Sequence, residues 1–141
     1  MTLRRSLATF TLMTMATFGA HMAAADVLYD CDIRTSERHR GWVSPKMAIV
    51  ERDTGAVQVV DAILISTDQS PITARVTRNT DKILMARWVI KKAEGRDTKV
   101  VPNLDYDFRL NKQNGRISVG LGLVSGGPRI AARGSCKTQT E

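Results

Sequence analysis

A chain of 141 residues with a formal charge of +7 has room for one domain around one core. The charge is moderate and its bases are scattered, which excludes the clustered excess of a nucleic-acid binder. No three or four His, Cys or carboxylate ligands stand at a spacing that suits zinc.

The first segment reads as an export signal. Arg4 and Arg5 form a basic start, and Leu7 to Gly19 is apolar and uncharged. Ala23 and Ala25 are the small residues that a signal peptidase pocket accepts. Cleavage is expected after Ala25, leaving residues 26–141 as a single β-domain with +7 less Arg4 and Arg5, or +5. The rival reading is an uncleaved membrane anchor, which Thr9, Thr11, Thr14, Thr17 and His21 dilute. The expected location is the bacterial periplasm or the outside of the cell.

Val27, Tyr29, Cys31 and Ile33 alternate with Leu28, Asp30 and Asp32, the period of a half-buried strand. Arg34 to Pro45 is polar and irregular, a loop whose Trp42 is expected to fold back onto the domain. Lys46 to Arg52 is a second strand. Asp53-Thr54-Gly55 signals a turn, and the β-branched run Ala56 to Ser66 completes a hairpin. A turn over Thr67 to Pro71 leads to a strand with Ile72, Ala74 and Val76 on one face, broken at Asn79-Thr80-Asp81.

Ile83 to Lys92 mixes helix formers with a clean alternation of Leu84, Ala86, Trp88 and Ile90. A strand is favoured over a helix, because strands on both sides make a sheet neighbour the consistent choice. Lys99 to Val101 reads as a short edge piece ended by Pro102. Tyr106, Phe108 and Leu110 alternate with Asp107, Arg109 and Asn111, and Asn114-Gly115 is a strong hairpin signal. Ile117, Val119, Leu121 and Leu123 return on one face, with Gly120 and Gly122 on the other, where a close approach is expected. Ile130, Ala132, Gly134 and Cys136 close the set.

The expected fold class is therefore all-β: a small antiparallel barrel or sandwich of about eight strands, preceded by the signal helix. Two cysteines in an exported protein usually pair, so Cys31 and Cys136 are expected to tie the first strand to the last. That clasp favours a closed barrel. A redox role lacks a Cys-x-x-Cys motif.

The chemistry of the chain is sparse. After cleavage only His39 remains, between Arg38 and Arg40. Ser125 does not sit in a Gly-x-Ser-x-Gly elbow, and the glycines from Gly120 to Gly127 lack the strand, turn and helix of a dinucleotide site. No cofactor and no metal are expected. The acids Asp30 with Asp32 and Asp105 with Asp107 share strand faces, the raw material of an acid/base pair or simply of a wet face.

Tyr29-Asp30-Cys31 on the first strand, with Cys136-Lys137 at the end, resembles the frame of the small periplasmic β-barrel inhibitors of lysozyme. The resemblance covers the two ends of the chain and implies a clasped barrel. The Ser-Gly and Tyr inhibitory loop of that family has no counterpart here, so the activity is not carried over.

Three functional expectations follow. The first is a non-enzymatic exported domain that binds a partner in the cell envelope, with Arg38, Arg40 and Trp42 as the contact loop, since an exposed tryptophan among arginines has the composition of a hot spot. The second is a basic module for an anionic envelope polymer or lipid head group, held by Arg75, Arg78, Lys82, Arg87, Lys91 and Lys92. The third is a carboxylate-dependent hydrolase using Asp30, Asp32, Asp105 or Asp107.

Overall fold

Alternation of apolar and polar residues becomes eight strands: β1 (Val27–Arg34), β2 (Lys46–Glu51), β3 (Val57–Asp61), β4 (Ile72–Asn79), β5 (Ile83–Ile90), β6 (Leu104–Asn111), β7 (Arg116–Leu123) and β8 (Ile130–Thr140). The computed structural model describes residues 25–39, 41–91 and 103–140. The expected signal segment, the edge piece Lys99 to Val101, and the candidate residues Arg40 and Lys92 lie outside them.

Each strand pairs antiparallel with its neighbour in sequence, and β8 returns to β1, so the sheet is a closed up-and-down barrel with no free edge. In the β1–β8 register Cys31 stands directly opposite Cys136, and their sulfurs are bonded at 2.05 Å. The clasp lies on the seam that closes the cylinder. Gly134, opposite Ile33, is needed there because a Cβ would meet the Asp32 carbonyl oxygen.

The interior is filled. Tyr29, Ile33, Met47, Ile49, Val57, Val59, Leu84, Trp88, Ile90, Phe108, Leu110 and Val119 all belong to one buried cluster. Trp88 stacks on Tyr106 with centroids 5.4 Å apart, and Phe108 tilts against it at 6.2 Å. Leu84, Ala86, Trp88 and Ile90 all point inward, which resolves the ambiguous segment as strand. Between β4 and β5 the pairing shifts at Val76 to Arg78, a bulge that leaves Thr77 without a partner.

One expected strand is shorter than its sequence suggests. The run Ala56 to Ser66 stops as a strand at Asp61 and becomes a helical turn, α1 (Ala62–Ser66). The physical reason is a cap: the Asp61 carboxylate accepts from the Leu64 N–H at 2.8 Å, which starts a helix in a stretch whose β-branched residues otherwise favour a pleat. Leu64 is thereby turned into the barrel end and is fully buried.

Asp61 is itself buried, and burial pushes its carboxyl above the ordinary value of 3.8, against the hydrogen bonds from Leu64 and Ile63. A carboxyl raised in the folded state makes stability fall as pH climbs from the ordinary carboxylate range through the raised value. Asp61→Ala is expected to cost about 1 kcal/mol through the lost cap. Asp61→Asn keeps an acceptor for Leu64, and is expected to equal or exceed the wild type at neutral pH and to lack the fall between acid and neutral pH. Urea midpoints of the three proteins at both pH values check this.

The two barrel ends differ. Short turns at residues 52–56, 80–82 and 112–115 close one of them. A polar knot seals it: Tyr29 Oη donates to Glu51 Oε2 at 3.0 Å, while Asn79 and Lys112 reach Glu51 Oε1 at 2.8 and 2.9 Å. Burial would raise the Glu51 carboxyl, but Lys112, Asn79 and Tyr29 together hold it below its ordinary value. Gly115 turns this end at φ +69°, with the Cys136 carbonyl where a Cβ would stand. The other end carries the longer connections: residues 35–45, α1 and residues 124–129.

Candidate functional site

At the long-connection end, the segment between β1 and β2 folds across the barrel mouth. A 3-10 turn (Glu37–His39) receives the N–H groups of Trp42 and Val43 on the His39 carbonyl, at 2.9 and 3.0 Å. Val43 plugs the mouth and is 1% exposed. The Tyr106 hydroxyl, pushed far up by burial and by the Asp61 charge and so protonated, donates to the Trp42 carbonyl at 2.7 Å. Ile33 N–H binds the Pro45 carbonyl at 2.8 Å, and Ser44 Oγ binds the Lys46 carbonyl at 2.7 Å.

Trp42 was expected to fold back onto the domain. Its backbone does so, but the residue stays 41% exposed, and Val43 fills the mouth instead. The ring borders an apolar depression of about 350 Å³ formed with Leu104, Leu121, Leu123, Pro128 and Ile130. Leu123 and Val124 beside it are also exposed. Arg38 is exposed on the 3-10 turn, and His39 Nδ1 shares a hydrogen bond with Ser36 Oγ at 3.1 Å.

The paired acids of β6 lie on the outer wall, and each meets an arginine. Asp105 Oδ2 is 2.7 Å from Arg87 Nη2 and 3.2 Å from Arg129 Nη1, and Arg129 Nη2 also bonds Asp107 Oδ1. The glycines of β7 make room for this network. A Cβ at Gly120 would strike the Asp107 carboxylate, and one at Gly122 would strike Arg129. The close approach expected at these glycines is thus a layer of ion pairs on the wall. Arg129 carries no sequence signal of its own, since it reaches β6 only across the bare face of Gly120 and Gly122 on β7. On β1, Asp32 pairs with Lys46 at 2.5 Å, with both side chains largely in solvent.

The bases expected to form one anion site run along the β4–β5 hairpin. Arg75 stands directly opposite Arg87, which Asp105 holds. Arg78 pairs with Met85 nearer the short-turn end, and Lys82 lies in the turn itself. Lys91 follows β5 at the far end, its backbone bound at both N–H and carbonyl by the Gln69 amide at 3.2 Å. The five described members of the set, Arg75, Arg78, Lys82, Arg87 and Lys91, therefore extend over the height of the barrel.

Among the described residues no helix is long and apolar enough to cross a membrane, and no group of three or more histidines, cysteines or acids is placed to hold a metal. Comparison of the chain with protein-family models, with curated proteins and with solved structures gives no significant match.

Proposed function

We propose that this chain is an exported, non-enzymatic binding domain that captures a protein of the cell envelope on the barrel rim at Trp42. The observation that carries the reading is the combination of a fixed backbone and an exposed ring. Residues 42–45 are held by hydrogen bonds from β1, β6 and the 3-10 turn, so little conformational freedom remains to be lost on binding. The indole stands beside the depression of Leu104, Leu121, Leu123, Pro128 and Ile130, an apolar pocket next to an aromatic anchor. Arg38, exposed on the same segment, favours a partner that offers an apolar residue with an acidic flank. Export is supported by the disulfide, which persists in oxidising compartments.

The carboxylate-hydrolase reading has no comparable support: Asp105 and Asp107 are engaged by Arg87 and Arg129, and of the β1 pair Asp30 and Asp32, Asp32 is engaged by Lys46.

Trp42→Ala is expected to weaken capture of the envelope partner by about 30-fold or more, the size of a hot-spot truncation. The unfolding midpoint should stay within error of the wild type, because the ring is solvent-facing. Crosslinking from position 42 to a defined envelope protein, followed by titration of that protein with both variants, checks the claim. Equal affinity for both, or unfolding of the variant, would overturn it.

A further inference from the structure

We infer that the outer wall of β6, β7, β8 and β1 carries a binding site for a linear polyanion, built by Arg109, Arg116, Arg133 and Arg34 around Ser118. The site shares no residue with the Trp42 rim.

Register alone assembles the site. Arg109 on β6 pairs with Ser118 on β7, Ser118 with Arg133 on β8, and Arg133 with Arg34 on β1. Arg116 stands one outward position from Ser118, opposite Ser135. All four arginines and Ser118 are exposed. Arg109, Arg116, Ser118 and Arg133 line a shallow depression of about 320 Å³.

This charge is not neutralised among the described residues. The acids two residues from Arg109 and from Arg34 on the same strands are already engaged: Asp107 by Arg129 and Asp32 by Lys46. None of the four arginines makes an ion pair among the described residues. Arg34 directly opposite Arg133 is unfavourable for a bare sheet, since like charges on facing positions repel. A bound anion reverses the sign of that term.

The donor set and its spacing specify the ligand class. Every cation of the site is a guanidinium, whose planar fork matches an oxyanion in a bidentate way that an ammonium does not. Three interstrand steps separate Arg109 from Arg34, roughly 14 Å along the wall at about 4.8 Å per step. That span exceeds a single phosphate and suits an extended chain of repeated oxyanions lying across the strands. Ser118 supplies a neutral donor at its middle. A membrane surface is a poorer match, because the large exposed apolar residues Trp42, Ile65, Val89, Leu123 and Val124 are not part of the row.

The test is titration of the full domain with long-chain inorganic polyphosphate at several salt concentrations. The wild type is expected to bind with a log–log salt slope of about −3, as four contacts to a single-stranded polyanion would give. Arg109→Ala/Arg133→Ala is expected to bind at least tenfold more weakly and to lose about half of that slope. Arg75→Ala/Lys82→Ala, which removes equal charge elsewhere, is expected to bind like the wild type. Orthophosphate at equal phosphate concentration should not compete, and phosphatidylglycerol vesicles should bind more weakly than the polymer. All substituted side chains are exposed, so circular dichroism and unfolding midpoints should not change. No binding of polyphosphate, equal losses in the two double variants, or tighter binding of vesicles than of polymer would each overturn the assignment.

Discussion

Replacing both Cys31 and Cys136 with alanine is expected to lower the free energy of unfolding by about 4–5 kcal/mol. The bridge joins residues 105 apart, and closing a loop of that order removes about 4.7 kcal/mol of unfolded-chain entropy at 25 °C. The native barrel should survive, because β1 and β8 remain joined by eight residue pairs from Val27↔Thr140 to Arg34↔Arg133. Since domains are stable by only about 5–15 kcal/mol, the variant is best compared with the wild type by denaturant titration at low temperature. Its denaturant slope should rise, as a chain without the cross-link exposes more surface when unfolded. Reduction of the wild type should reproduce the loss. A difference below about 1 kcal/mol would mean that the seam gains nothing from the bridge.

Phe108→Ala is the second large effect, with an expected cost of about 3–5 kcal/mol, typical of an aromatic truncated in a packed core. Phe108 is 1% exposed and lies against Trp88, which in turn stacks on Tyr106. Strands on all sides hold these rings, so the wall cannot collapse into the space left behind. Urea or guanidinium unfolding measures the cost. A loss under about 1.5 kcal/mol would indicate a loosely filled lumen and would move attention from the outer wall to the interior as the binding region.

The sheet was legible because its signal is local. Leu84, Ala86, Trp88 and Ile90, or Tyr106, Phe108 and Leu110, show in a few residues which side faces the core. Asn114-Gly115 marked a real hairpin, although the connection takes four residues, 112–115, with Gly115 as the left-handed one. The Cys31–Cys136 pair pointed to closure because two cysteines left one pairing.

What stayed hidden depends on contacts far apart in sequence or on one residue overruling its neighbours. Asp61 ends a β-branched run by capping α1, a choice worth about 1 kcal/mol that a propensity sum over the run conceals. Residues 35–45 join β1 to β2 as the polar, irregular loop that the sequence indicates, yet nothing local distinguishes Trp42, which stays at the rim, from Val43, which enters the core. Arg129 and the row Arg109, Arg133 and Arg34 are ordinary surface residues until strand register sets them side by side. The paired acids showed the reverse: their spacing suggested chemistry, and Arg87 and Arg129 turn them into ion pairs on the wall.

Everything proposed for the outer surface requires that β8 lie against β1. Cross-strand proton contacts in the NMR spectrum of the labelled domain test this directly. The barrel predicts contacts linking Val27–Arg34 with residues 133–140 in the stated register, Tyr29 with Thr138 and Ile33 with Gly134 among them. Contacts within β1–β2 and β7–β8 but none between β1 and β8 beyond the two cysteines would contradict it.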